Sequence, residues 1–245
     1  MRTPSTSREA RLSRRQEERP IERTVEYEPV ARFTKNDVYF SGTAAIRPQL
    51  LRISMTTRQL FEILTQGLEA DINRLNPWWR GLPQAPLPPV RRWAFPLALR
   101  RLKQGLAKIT VLSGPRQVGK STLVLQMIET LLDEGVPPTH ICYIQFDELP
   151  EIRKLQEPIL RLSDWFEQTI LRKTFNQAAQ EGQSVFLFLD EVQNLDSWAP
   201  QLKFLVDTSA IRVMVTGSSS LRIEQRRDSL AGRISTLEMG PLALS

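Results

Sequence analysis

Eight consecutive residues, Gly114-Pro115-Arg116-Gln117-Val118-Gly119-Lys120-Ser121, fit the pattern G-x-x-x-x-G-K-[ST] without a gap. These residue types at this spacing suit one task, which is holding a chain of phosphates. The backbone N–H groups of a glycine-bracketed loop, and the start of the helix after it, present partial positive charge. Lys120 adds a full charge toward the β- and γ-phosphates. The hydroxyl of Ser121, followed by Thr122, can ligate Mg²⁺. Further along, Asp190 and Glu191 end an apolar run. Asp190 suits the water shell of Mg²⁺, and Glu191 can orient or deprotonate a water attacking the γ-phosphate. Alternation along a strand predicts that these adjacent acids point to opposite sides. Thr216, Ser218 and Ser219 can sense the γ-phosphate, or they form a plain turn of small residues. Arg233 can supply charge to a transition state or sit in a structural ion pair, and Arg226 and Arg227 are further candidates for the first role.

The elements that must position these residues are legible around them. Ile109, Val111 and Leu112 predict a buried strand entering the loop. Apolar residues at 124, 127, 128, 131 and 132 predict a helix leaving it, with Gly135 at its end. Further strands are predicted at 141–146, 185–189, 211–215 and 234–239. One long helix is predicted over 158–181 and a shorter one over 199–207. Strands alternating with helices argue for an α/β fold with a parallel sheet. Asp190 and Glu191 then lie at the carboxyl end of a strand, where open α/β sheets bind ligands.

The segment ahead of the loop reads differently. Residues 1–35 lack apolar periodicity and are dense in Arg, Glu, Ser and Pro, the composition of a disordered tail. Thr56 to Gln59 reads as a capping box, opening a helix over 57–75 that Asn76-Pro77 ends. Residues 82–90 are proline-rich and read as a linker. In 91–106, Leu99, Leu102 and Leu106 share a helix face. This stretch is either an aromatic-basic patch for nucleic acid or a helix packed on the nucleotide domain, anchored by Trp93 and Phe95. Net charge is +10 over residues 1–110 and −4 over 111–245. A basic excess of that kind can attract nucleic acid or an anionic surface, or be a solvated tail of mixed sign.

Composition excludes other classes. With one cysteine, Cys142, no internal disulfide is possible, so a reducing compartment is expected. His140 is the only histidine and has no companions for a zinc site. No apolar stretch approaches a membrane span, and the N-terminus has no secretory h-region, so the expected location is cytoplasmic.

GPRQVGKST, FLFLDEVQNLDSWAPQLKFLVD, VTGSSSLRI and SLAGRISTLEMGPL together closely resemble the prokaryotic AAA-type ATPases whose ATPase core precedes a C-terminal DUF4143 domain. The resemblance covers 109–245, and NPWWRG through residue 106 is similar to the lead-in of some members. It implies an α/β P-loop NTPase fold of AAA-like type and a Mg²⁺-dependent ATPase. Gly114 to Thr122 would form Walker A, Asp190 and Glu191 Walker B, and Ser218 or Ser219 the first sensor. Family members continue past the final PLALS into a helical lid and the DUF4143 domain. The expected organisation is therefore a basic tail (1–35), a helical extension with a Pro-rich linker (36–90) and an AAA-like core without its lid (91–245). ATP binding would drive or gate a protein partner, a second copy or an appended domain. Two other readings stand beside it. One is a nucleotide-gated nucleic-acid-binding module. The other is a P-loop kinase, disfavoured by Glu191 and by the lack of an obvious acceptor site.

Overall fold

The computed structural model describes residues 64–105, 107–217 and 230–241, all within the second of the chain's two units, Arg52–Ser245. Among the described residues, β1 (Ile109–Ser113), β2 (Ile141–Gln145), β3 (Phe186–Asp190), β4 (Arg212–Gly217) and β5 (Ile234–Glu238) form one sheet. Its order is β2-β3-β4-β1-β5, and every pairing is parallel. All five strands lie within two residues of their predicted bounds.

Helices cover both faces, as a parallel sheet requires. Leu112, Tyr143, Phe186, Phe188, Met214 and Leu237 pack against α2 (Ala94–Gln104) and α3 (Lys120–Asp133). Their alternates Val111, Cys142, Ile144, Leu187, Leu189, Val213 and Val215 join the opposite core. That core is completed by α1 (Gln66–Leu75), α4 (Pro158–Phe166), α5 (Phe175–Gln180) and α6 (Trp198–Thr208). Two more steps of alternation put Asp190 and Thr216 on the α3 side, together with Tyr143. The carboxyl ends of β1, β3 and β4 thus bring the phosphate loop and the polar strand ends to one edge.

Three expectations are corrected. The predicted 158–181 helix is interrupted. A π-helical turn over Glu167–Leu171 leads to Arg172 in the left-handed region, and α5 then starts afresh. A capping box holds that restart, Thr174 with Gln177, a T-x-x-Q signal that the apolar periodicity masked. Buried Glu167 accepts from Phe175 N at 2.6 Å across the break.

The second concerns residues 64–80 of the expected extension, which bury Leu68, Ile72, Asn76 and Trp78 against the sheet, whereas residues 81–90 stay largely exposed. Asn76 is fully buried. Its side chain donates to Tyr143 O at 2.8 Å and accepts from Tyr143 N at 2.7 Å, satisfying the open edge of β2 as a neighbouring strand would. The indoles of Trp78 and Trp79 both donate to Ile141 O, at 3.1 and 2.8 Å. The proline-rich segment lies along α3, where Gln126 donates to Pro88 O and Val90 O. Helix α1 is capped by Thr65, whose hydroxyl accepts from Leu68 N. The Thr56–Gln59 capping box lies outside the described residues, as do residues 1–35.

Third, α2 buries Ala94, Phe95, Ala98 and Leu102, with Leu99 partly covered, whereas Trp93 is 61% exposed and anchors nothing. Leu106 lies outside the described residues.

Candidate nucleotide site

The loop after β1 is built for close approach. A Cβ on Gly114 would stand 2.2 Å from Met239 O, and Met239 N donates to Ser113 O at 2.7 Å, so only glycine fits where the loop begins. Gln117 and Gly119 both have positive φ, 61° and 89°, which turns the chain into α3 at Lys120. Gly114 and Val118 are buried, whereas Pro115, Arg116 and Gln117 are exposed. Ser121 and Thr122 lie half-buried in the first turn of α3.

Lys120 is buried, and its ammonium folds back on the loop. It donates to Gly114 O at 3.1 Å and Pro115 O at 2.8 Å, and it lies 3.7 Å from Glu191 Oε1. A buried ammonium held by two carbonyls and one carboxylate has exchangeable partners, which incoming phosphate oxygens can replace.

Asp190 is fully buried. Burial pushes its carboxyl up, and hydrogen bonds from Ser121, Thr216 and Tyr143 act in the opposite sense. Thr216 donates to Oδ1, and the Tyr143 hydroxyl lies 3.0 Å from Oδ2. Tyr143 was not among the predicted site residues, because its parity becomes readable only once β2 is registered against β3 (Tyr143 opposite Phe188). Burial first, and Asp190 next, push its phenol well up, so it remains a donor.

Glu191 corrects the expected alternation. It leaves the strand in the left-handed conformation, φ 57° and ψ 44°. That turn brings its carboxylate back toward Lys120 instead of to the opposite face. Gln193 Nε2 donates to Glu191 Oε2, and Glu191 N donates to Thr216 Oγ1 at 3.1 Å. A left-handed non-glycine residue costs roughly 1–2 kcal/mol, held here by contacts on both sides.

The structure therefore brings together Gly114 to Thr122, Asp190, Glu191 and Thr216. It does not bring Arg233 to them. Arg233 precedes β5, accepts from Ile109 N through its carbonyl, and pairs with Asp207 at 2.6 and 2.9 Å. That is the amino end of the sheet, about 13 Å of strand away from the loop at roughly 3.3 Å per residue. Ser218, Ser219, Arg226 and Arg227 lie outside the described residues.

Among the described residues there is no cluster of three or more His, Cys, Asp or Glu able to hold a metal alone. The Ser121 hydroxyl and the Asp190 carboxylate in mutual contact are nevertheless the hard oxygen donors that Mg²⁺ takes alongside substrate phosphates.

Residues 106–245, more than half of the chain, match the model of a family described as AAA domain. The chain belongs to the AAA-domain family. It carries an AAA-type P-loop ATPase core, built on a parallel sheet with flanking helices. Similar proteins include an uncharacterized protein of Haemophilus influenzae, 27% identical over 138 residues, covering 55% of this chain and 32% of that protein. Another, from Mycobacterium tuberculosis, is 28% identical over 152 residues, covering 60% and 29%. The chain thus spans about a third or less of these relatives' length. Among solved structures, the Walker-type ATPase PABY2304 of Pyrococcus abyssi is 17% identical, with TM-score 0.38 over 60% of this chain and 53% of that one. C. elegans PCH-2 is 12% identical, with TM-score 0.36 over 60% and 40%. No helix among the described residues is long and apolar enough to cross a membrane.

Proposed function

We propose that this AAA-domain protein binds ATP at the loop Gly114–Thr122 and hydrolyses it with Mg²⁺, using the nucleotide cycle to drive or gate a partner or appended domain. The observation that carries this reading is the convergence of Lys120, Ser121, Asp190 and Glu191 at one edge of the sheet. Ser121 and Asp190 would hold Mg²⁺. When bound, the ion neutralises charge on the β- and γ-phosphates. Lys120 exchanges its loop carbonyls for phosphate oxygens. Glu191, released from the ammonium, orients the attacking water and accepts its proton. Thr216 holds the Asp190 carboxylate and the Glu191 backbone together, so it fits a relay between metal and water sites.

Four charges of the aromatic-basic stretch, those of Arg91, Arg92, Arg101 and Lys103, are engaged within the protein. Arg91 stacks on Phe95, Arg101 donates to Ser235 and to Thr236 O, and Lys103 pairs with Glu134. This favours the packed-helix reading of that stretch over a nucleic-acid patch.

The test is phosphate release from ATP with Mg²⁺ and no acceptor, together with calorimetric titration of Lys120→Ala. Release by the parent and loss of binding in the variant support the assignment. Parental affinity in Lys120→Ala overturns it.

A further inference from the structure

The phosphate loop is held from outside the 106–245 segment that matches the family. Arg92, just ahead of α2, donates from Nη1 to Val118 O at 3.0 Å and from Nη2 to Gly240 O at 2.7 Å. One guanidinium thus bridges the loop and the chain leaving β5. The first contact has a geometric consequence. A trans peptide is planar, so its C=O and N–H point in opposite directions. Fixing Val118 O on the Arg92 side aims Gly119 N–H the other way, away from Arg92. In a G-x-x-x-x-G-K-S loop, backbone N–H groups of this kind are the phosphate donors. The second contact lies beside the one at the loop's entry, where Gly114 abuts Met239 O and Met239 N donates to Ser113 O. The loop's entry is therefore tied to Met239 directly and its exit to the adjacent Gly240 through Arg92.

We propose that Arg92 is a positioning residue for phosphate binding. It presets the Val118–Gly119 peptide and links loop geometry to the segment after β5, so that nucleotide binding orders Met239–Gly240. This rests on the phosphate-loop reading above. Arg92 acts through two neutral carbonyls and needs both arms of a planar fork. A lysine supplies the charge and three N–H donors, but all from one nitrogen, without the two-nitrogen fork.

The experiment uses the full 245-residue chain and titrates ATPγS with Mg²⁺ into the parent, Arg92→Lys, Arg92→Gln and Lys120→Ala. Backbone hydrogen exchange across 238–241 is followed with and without nucleotide. Both Arg92 variants should bind about tenfold more weakly, the scale of one lost charge-assisted hydrogen bond. Nucleotide should protect 238–241 in the parent and not in the variants. Parental affinity in Arg92→Lys would mean that charge alone matters and would overturn the proposal. So would weakened binding with nucleotide-dependent protection of 238–241 intact. If Arg92→Gln does not fold, Arg92→Lys decides. Parental binding by Lys120→Ala would overturn the underlying phosphate-loop reading instead, leaving a different signature.

Discussion

The ammonium of Lys120 and the carboxylate of Glu191 stand 3.7 Å apart, both largely buried, one at the start of α3 and the other just past β3. In this arrangement the two groups that would act on the γ-phosphate neutralise each other. Phosphate must displace Glu191 from the ammonium, and that displacement frees the carboxylate for water. Binding and activation are thereby linked through one ion pair.

Glu191→Gln removes the charge and the basicity while keeping the size. ATP affinity should stay at the parental level or rise, because the ammonium loses a competitor. Hydrolysis should fall on the order of 10²-fold or more, the scale for losing a general base. Calorimetry and steady-state phosphate release, run on the same preparation, check the two halves separately. Parental turnover would remove Glu191 from the base role and leave nucleotide-dependent switching as the better account.

Tyr143 and Asp190 make the second prediction. Tyr143→Phe deletes a donor from a buried carboxylate and leaves the ring in the core. The Mg²⁺ concentration giving half-maximal activity should rise about tenfold, the lower end of what losing a partner behind a metal ligand costs. Nucleotide binding measured without Mg²⁺ should be unchanged. Asp190→Asn should weaken Mg²⁺-dependent binding and turnover together. If Tyr143→Phe has the parental Mg²⁺ requirement, Thr216 and Ser121 suffice to hold Asp190.

Gly114→Ala tests the close approach behind the loop. The added methyl meets a backbone oxygen, which cannot rotate away as a flexible side chain would. Loop and β5 exit must separate, at a cost of about 1–3 kcal/mol for overpacking. Nucleotide affinity should fall together with the denaturation midpoint. At Gly119 a methyl meets open space, so Gly119→Ala should show the strain of its φ of 89° and no clash. Equal stability of the two variants would discount the Met239 contact.

How much of this was legible in the sequence follows from the range of each interaction. Lys120, Ser121 and Asp190 are recognisable because their roles depend on local spacing and on the end of a buried strand. β3 is apolar over 186–189 and buried through Asp190 for the same reason, since both its faces are covered. Glu191 was assigned the wrong direction because alternation holds only while the chain is extended, and its left-handed turn is not encoded by any glycine. Tyr143 and Arg92 were missed because their partners lie 47 and 26 residues away, and only sheet register or helix docking brings them together. The 158–181 helix broke for a local reason that apolar periodicity does not report, the capping box at Thr174. The segment 64–90 looked detachable because proline-rich composition says nothing of the hydrogen bonds its neighbours make.

That segment supplies the last prediction. The edge of β2 is satisfied by one side chain, Asn76, which exchanges two hydrogen bonds with the Tyr143 backbone, and by two indoles on Ile141 O. Asn76→Ala leaves the Tyr143 N–H and C=O without those partners, at about 1–3 kcal/mol for each buried group. The denaturation midpoint should therefore drop by an amount equivalent to roughly 2–6 kcal/mol. Tyr143 also carries the hydroxyl beside Asp190, so Asn76→Ala should raise the Mg²⁺ requirement in the same sense as Tyr143→Phe. Deleting residues 1–35 should change neither quantity, whereas deleting 1–90 should abolish the folded core and nucleotide binding with it. Urea denaturation and nucleotide titration of the three variants provide the comparison. A 1–90 deletion that folds and binds ATP like the parent would show that residues 64–90 decorate the core rather than complete it.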